Sequence, residues 1–390
     1  MTTEQWLLAL LRTVLCGEAP PKTPTFEELR AVLALAKRHD LSHLVYVALK
    51  QHGALPTPKN EQQQAELDDA AKDVIIVQYR YLKQQAELEH IGTVFTREGI
   101  DYMPMKGSVL RVLYPEEWMR TGCDIDVLVR ESDLDRAVEA LVAEGFETDG
   151  VRNHHDVLLR CDIVNLELHH NLLERMPQSD AVLETVWEHT VSKEQYHVET
   201  PEFFLYHHIA HMAHHFVCGG CGARTVMDLW LLRQNSPFSA DTVQELLVRG
   251  GLSTFAEQMF QLADIWFGAG EHTEHTRRIE QFILCGGAYG SESQRYALSA
   301  ARHGKGNFAR RVVFMPYEDL RHVYPRLDGK RMLTPFYQCC RIGTRLKQGR
   351  GKGAVDRIRK VGGQSGAAVR SMQEFLNEVG LSPLKEGDTV

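Results

Sequence analysis

Apolar residues recur with helical spacing from Gln5 to about Gly99, where Ile75, Tyr79, Leu82 and Ala86 form one stripe and Leu88, Ile91 and Phe95 another. The stretches Pro20 to Pro24 and Gly53 to Pro58 break this pattern into separate helices. From Ile100 onward, short apolar runs alternate with helical segments, punctuated by Gly99, Gly107, Gly122, Gly145 and Gly150. The pattern predicts a strand at Tyr102 to Met105, a helix from Ser108 to about Leu113 and a strand at Asp124 to Val129. A helix from Ser132 to Ala143 follows, with Ser132 as its N-cap, and then strands near Val157 to Arg160 and Val164 to Leu168. After Pro201 the chain reads as helical through 203–217, 224–233, 241–249 and 254–267.

The expected architecture is therefore α/β of the α+β kind, a small mixed-sheet core flanked by helical units. Its expected divisions are 1–99 (N-terminal helical), 100–200 (sheet core), 201–340 (C-terminal helical) and 341–390 (a flexible basic tail with a terminal helix). A length of 390 residues supports two or three packed units, and 43% hydrophobic with 25% charged residues argues against a disordered, collagenous or fibrous chain. The net charge of −8 argues against a wholly basic nucleic-acid coat. Within 341–360, however, eight Lys/Arg face only Asp356, and this stretch reads as a solvated basic face. Gly349-Arg350-Gly351-Lys352-Gly353 lacks the spacing of a phosphate loop. No apolar run reaches the roughly 18 residues of a bilayer span. Trp6 to Leu11, set between Glu4 and Arg12 without a basic leader, reads as an amphipathic helix rather than a signal peptide. A soluble, cytoplasmic protein with reduced thiols and no membrane partner is expected, since its eight cysteines are sparse and irregular.

Candidate chemistry concentrates between Lys106 and Glu167. On a strand, Asp124 and Asp126 project together while Ile125, Val127 and Val129 enter the opposite, buried face. Two adjoining carboxylates repel unless a cation lies between them, and hard divalent ions such as Mg²⁺ accept carboxylate oxygens. Gly107-Ser108 supplies a strand-to-helix turn where the backbone can approach a phosphate. A third carboxylate is expected from Leu166-Glu167-Leu168; Asp162 fits the same hydrophobic-acid-hydrophobic form but falls where a strand-to-strand turn is expected.

Strand, Gly-Ser, helix, Asp-x-Asp strand and a later strand acid together resemble the DNA polymerase beta-type nucleotidyltransferase superfamily. Lys106-Gly107, Tyr114, Arg120, Asp124-Ile125-Asp126 and Glu167-Leu168-His169 are similar to a bacterial branch described only as an uncharacterised nucleotidyltransferase family. His211-x-x-x-His215 and Arg224-x-x-x-Asp228-Leu229 agree with that branch's helical pattern. The resemblance runs from roughly Leu82 to Asp228, with weaker similarity around Phe314 to Tyr337. It implies transfer of a nucleoside monophosphate from an NTP to an acceptor hydroxyl or similar group, with pyrophosphate released. It also implies Mg²⁺ or Mn²⁺ on Asp124, Asp126 and Glu167, and nucleotide contacts from Lys106, Gly107, Ser108 and Arg120. Lys106 and Arg120 fit phosphate ligands and structural ion-pair partners equally. The acceptor, whether small molecule, protein or RNA, is not implied, and a nucleic-acid partner stays open without being favoured.

Two rival readings stand beside this one: a degenerate module that binds a nucleotide or partner without chemistry, and a zinc protein built on His211, His215, Cys218 and Cys221. Leu205, Ile209, Met212 and Phe216 form a core stripe, and His207, His211 and His214 lie ~200° round from it, facing solvent or an active site. His154-His155 shows no ligand pattern, His169 reads as a residue supporting Glu167, and Asp228 as a buried ion-pair partner of Arg224.

Overall fold

The alternation in 124–129 becomes an inner strand of a five-stranded mixed sheet in the computed structural model, which describes residues 1–152, 156–194, 196–347 and 351–381. The strands are β1 (Tyr102–Pro104), β2 (Asp124–Val129), β3 (Glu147–Arg152), β4 (Asp156–Cys161) and β5 (Val164–His169), in the order β1-β2-β5-β4-β3. Only β2 and β5 pair in parallel; the other neighbours are antiparallel. Because the side-chain period is two, Ile125, Val127, Val129, Leu166 and Leu168 pack on one face. Asp124, Asp126 and Glu167 share the other.

Four helices precede the sheet: α1 (Thr3–Cys16), α2 (Phe26–Arg38), α3 (Ser42–Gln51) and α4 (Glu61–Glu98). The Trp6 to Leu11 run is the buried side of α1, which Thr2 and Gln5 start with a reciprocal capping box. The end of α4 covers the sheet's apolar face with Ile91, Val94 and Phe95, joined by α6 (Leu134–Ala143) through Ala137 and Leu141. Further upstream on α4, the stripe of Ile75, Tyr79 and Leu82 points outward. The inward side runs instead through Leu67, Ala70, Val77 and Gln84, and the Gln84 amide donates to the Gly122 carbonyl and accepts from Arg111, a polar point on an otherwise apolar packed side.

The short α5 (Gly107–Leu110) follows β1, and a 3-10 turn over Arg111–Leu113 continues it. After β5 come α7 (Pro177–Leu183), a two-stranded ribbon of β6 (Thr190–Ser192) and β7 (His197–Glu199), then α8 (Pro201–Cys218), α9 (Ala223–Asn235), α10 (Ala240–Arg249) and α11 (Ser253–Phe267). Beyond these lie α12 (Glu274–Gly286), α13 (Glu292–His303), α14 (Lys305–Val313), α15 (Tyr317–Val323), α16 (Thr334–Lys347), α17 (Gly351–Gly362) and α18 (Gly366–Glu378). Trp6 and Leu10 of α1 share one hydrophobic cluster with Phe216 of α8, Phe255 and Phe267 of α11, and Phe375 of α18. N-terminal and C-terminal helices thus bury each other's apolar faces.

Three sequence expectations change. Ser132 is not an N-cap: residues Glu131–Asp133 form a 3-10 turn, the helix starts at Leu134, and no side-chain cap bond is made. Strand β3 was not anticipated, because Gly150 and its polar residues mask an edge strand whose pairing with β4 carries a register shift. The stretch expected to be a flexible basic tail contains the end of α16 and all of α17, whose Val361 is buried and whose Lys360 pairs with Glu292 at 2.7 Å. His154-His155, Arg350 and 382–390 lie outside the described residues.

Two glycine-rich connections interlock, α8 to α9 (Gly219, Gly220, Gly222) and α12 to α13 (Gly287, Gly290). A Cβ on Gly290 would stand 1.5 Å from the Gly219 carbonyl oxygen, and its φ of +75° already disfavours a side chain. Gly290→Ala should therefore lower unfolding free energy by roughly 2–3 kcal/mol or more, read from urea melts, whereas Gly306→Ala, which meets no neighbour within 4 Å, should not.

Candidate active site

The parallel register sets Asp126 opposite Glu167 and Asp124 opposite Asn165. Two positions on from Glu167, the imidazole of His169 reaches both carboxylates, with Nε2 2.9 Å from Asp126 Oδ1 and 3.5 Å from Glu167 Oε2. An Nε2–H donating to Asp126 satisfies that geometry. Lys106 Nζ donates to the same Asp126 oxygen at 2.7 Å. Among the described residues, Asp126, Glu167 and His169 form a group whose ligand atoms lie within 4.8 Å of one another.

Lys106 reaches Asp126 from a strained turn. The Met105 N–H donates to the Asp126 carbonyl and the Ser108 N–H donates to the Met105 carbonyl, closing a tight reversal with Lys106 at φ 48°, ψ −118°. Those are the angles of the first central position of a type II′ turn, ordinarily glycine. The second central residue is Gly107, where a Cβ would sit 2.5 Å from Arg120 Nη1. Gly107 is thus needed for the close approach of a guanidinium. The Ser108 N–H is spent on the turn, and Ser108 is not among the residues lining the cavity.

Arg120 is held as an ion-pair partner. Its Nη2 lies 2.9 Å from Asp228 Oδ2, its Nε 3.3 Å from Oδ1, and Nη1 donates to the Thr121 carbonyl at 2.9 Å. Asp228 is fully buried and also accepts from the Tyr114 hydroxyl at 2.7 Å. The expected Asp228–Arg224 pair is replaced by this one; Arg224 turns instead to Asp40 and Thr121. Asp228 lies in the first half of α9, so the pair fastens that helix to the segment entering β2.

These groups open on a cavity of about 400 Å³. One wall holds Lys106, Gly107, Asp124, Asp126 and Glu167; the other holds His207, His211 and His215 of α8, Arg224 of α9, and Tyr289. His207 faces the cavity rather than solvent and is 2% exposed, its Nδ1 2.8 Å from Glu199. Glu174, which no sequence pattern marked, follows β5 in a loop and accepts from His211 Nδ1 at 2.6 Å, while its backbone carbonyl takes His214 Nδ1 at 2.6 Å. With Nδ1 of His211 donating, its Nε2 is the acceptor for His215 Nε2 at 3.0 Å. The proposed zinc quartet does not assemble among the described residues: Cys221 is buried, and Cys218 instead meets His214 and Arg302.

Electrostatics divide the two aspartates. Burial raises both, but the Lys106 ammonium and His169 overcome it at Asp126 and hold that carboxyl well below the usual range. Asp124, pushed up by burial and then by Asp126 itself, lacks a comparable partner charge. Burial pulls Lys106 down, yet Asp126 outweighs it and the ammonium is stabilised. Burial and the Lys106 charge press His211 down to about 3, and burial with His214 presses His215 down to about 4. His214 goes the other way, to about 9, because Cys218 and Glu174 outweigh its burial.

A match to the family described as "Uncharacterised nucleotidyltransferase" covers residues 27–268. The chain belongs to that family. No curated protein and no solved structure matches it. The family match reaches beyond both ends of the 82–228 stretch expected from motifs, and it takes in every wall of the cavity except Ala288 and Tyr289.

Two measurements probe this arrangement. Asp228→Ala leaves the Arg120 guanidinium buried without its partner and should cost about 3–5 kcal/mol in denaturant unfolding. His211 and His215 enter the fold neutral, with pKa values below the ~6.5 of an unfolded histidine. Their contribution is therefore complete above that value and is lost as pH falls toward 4 and 3. His214, raised to about 9, contributes fully below pH ~6.5 and less as pH climbs through 9. Stability measured against pH should thus fall on both sides, and His215→Gln should flatten the acid limb alone.

Proposed function

We propose that this nucleotidyltransferase moves a nucleoside monophosphate from an NTP to an acceptor hydroxyl or similar group, with Mg²⁺ or Mn²⁺ held by Asp124, Asp126 and Glu167. The observation that carries the reading is the parallel register, which brings Asp126 and Glu167 side by side, with Asp124 on the same face, at the wall of one cavity. The residues fit a divalent cation: Asp126 and Glu167 lie within ligand reach of one another together with His169, and Asp124 shares their face, pushed up by burial and then by the Asp126 charge, which Lys106, Arg224 and Arg120 only partly offset. His169 and Lys106 both donate to Asp126 Oδ1, which suits them to orienting that carboxylate. A divalent ion bound there would supply Lewis-acid polarisation of the triphosphate and a lower pKa at the acceptor hydroxyl.

The chain's own residues do the remainder. Lys106 and Arg224 place positive charge on two sides of the cavity and favour a polyanionic substrate. Arg120, its donors engaged by Asp228 and Thr121, adds charge and holds the Gly107 turn in place. The acceptor oxygen forms a bond to the α-phosphorus as the bond from that phosphorus to the β-phosphate oxygen breaks. The acceptor proton passes to Glu167, and pyrophosphate departs with the breaking pair of electrons.

Incubation of the protein with labelled NTP, a divalent cation and a panel of acceptors should give cation-dependent label transfer with matching pyrophosphate. Asp124→Asn should reduce it about 10³-fold or more while leaving stability unchanged or higher, since one of two repelling charges is removed. NTP affinity by calorimetry without pyrophosphate from any acceptor class would favour a binding module instead. Full activity in both Asp124→Asn and Asp126→Asn would place the chemistry elsewhere.

A further inference from the structure

Charge is distributed very unevenly along this chain. Residues 302–360 contain 16 Lys/Arg and 4 Asp/Glu, a net of +12, so the remainder of a chain at −8 carries −20. Part of the excess is neutralised, as where Arg321 pairs with Asp328 at 3.0 Å and Lys360 with Asp356 at 3.2 Å. Within this basic region, the 3-10 turn Arg331–Leu333 and the start of α16 raise apolar side chains into solvent: Met332 is 94% exposed, Leu333 42% and Phe336 62%. They fall at adjacent positions and one helical turn apart, directly after Lys330 and Arg331, and exposed Arg326 precedes them.

An apolar tip on a basic base is the pattern of a protein that rests on an anionic bilayer, where aliphatic and aromatic side chains enter the headgroup boundary and Lys/Arg stay among the headgroups. We propose that the Met332, Leu333 and Phe336 tip, with its flanking Lys330 and Arg331, docks this enzyme on a membrane surface rich in anionic phospholipid. This revises the expectation of no membrane partner. The association is peripheral, since no helix among the described residues is long and apolar enough to cross a membrane.

Charge selects this occupant over two others. A second copy seated face to face would set +12 against +12. Single-stranded nucleic acid is read by aromatic platforms open to solvent. Here Tyr324 and Tyr337 lie against each other with ring centroids 5.0 Å apart, Arg331 covers the Tyr317 ring, and of the tip's three apolar side chains Phe336 alone is aromatic while the aliphatic Met332 is the most exposed. A bilayer satisfies both the local positive excess and the outward apolar tip, and the −20 on the rest of the chain turns that lobe toward the surface.

The test is co-sedimentation of the full chain with vesicles of phosphatidylcholine alone or mixed with phosphatidylglycerol, at low and high salt. Binding to the mixed vesicles, weak binding to phosphatidylcholine and loss in high salt are expected. Met332→Glu with Phe336→Glu should weaken partitioning about tenfold or more, with thermal melting and NTP affinity unchanged because both side chains are in solvent. Absence of partitioning, or partitioning indifferent to the double variant, would overturn the proposal. So would RNA retention in a gel-shift assay without vesicle binding, or a concentration-dependent dimer abolished by the double variant.

Discussion

The burial of one ionised carboxylate governs the architecture of this protein. Asp126 sits on an inner strand, 7% exposed, beside a second aspartate two residues away. An isolated charge in such a place costs several kcal/mol, so the surroundings must supply positive charge and donors. They come from three directions: Lys106 from the turn after β1, His169 from β5 and, at longer range, the guanidinium of Arg120. The turn, the parallel strand pair and the helix that anchors Arg120 are the elements required to bring those groups in.

The same logic explains why the helical regions do not separate from the sheet. Arg120 could not stay buried without Asp228 of α9, and Asp228 could not stay buried without Arg120 and Tyr114. That reciprocal dependence ties the strand carrying both aspartates to α9, while α8 delivers His211 and His215 to the opposite wall. The glycine connections after α8 and α12 approach backbone to backbone, which sets Tyr289 at the edge of the cavity from a region outside the family match. The cavity is therefore assembled from three parts of the chain, and the shared apolar cluster of α1, α8, α11 and α18 keeps them in register.

Much of the sheet was legible because its residues are dictated locally. The run Asp-Ile-Asp-Val-Leu-Val alternates so plainly that β2 spans the expected residues 124–129, and Asp162, preferred as a turn residue over a catalytic one, has φ 53° between β4 and β5 and pairs with Lys83. Glu167 likewise emerges next to Asp126. What could not be read depends on long-range partners. Nothing near Asp228 distinguishes Arg224, one helical turn away, from Arg120, 108 positions earlier. Glu174 lies in a loop without periodicity, and its importance comes wholly from the two histidines folded against it. On α4 the exposed Ile75, Tyr79 and Leu82 made the wrong stripe, since the inward side runs through Leu67, Ala70, Val77, Gln84 and Ile91, where a buried glutamine held by Gly122 and Arg111 interrupts the apolar spacing.

Lys106 joins backbone shape to site charge. A side chain at φ 48°, ψ −118° costs on the order of 1–3 kcal/mol relative to glycine, and only a specific reward retains a lysine there. That reward is the 2.7 Å contact with Asp126, which has its full charge-assisted strength only while the carboxyl is ionised. The strain and the ion pair are thus one coupled unit: neutralising Asp126 removes what holds the turn, and straightening the turn withdraws the ammonium that keeps Asp126 charged. Gly107, directly following, carries the same coupling to Arg120, whose Nη1 occupies the volume a side chain would need. The cavity's charge balance and the shape of its turn are for this reason set together, and a substitution at any one of Lys106, Gly107, Arg120 or Asp126 alters both.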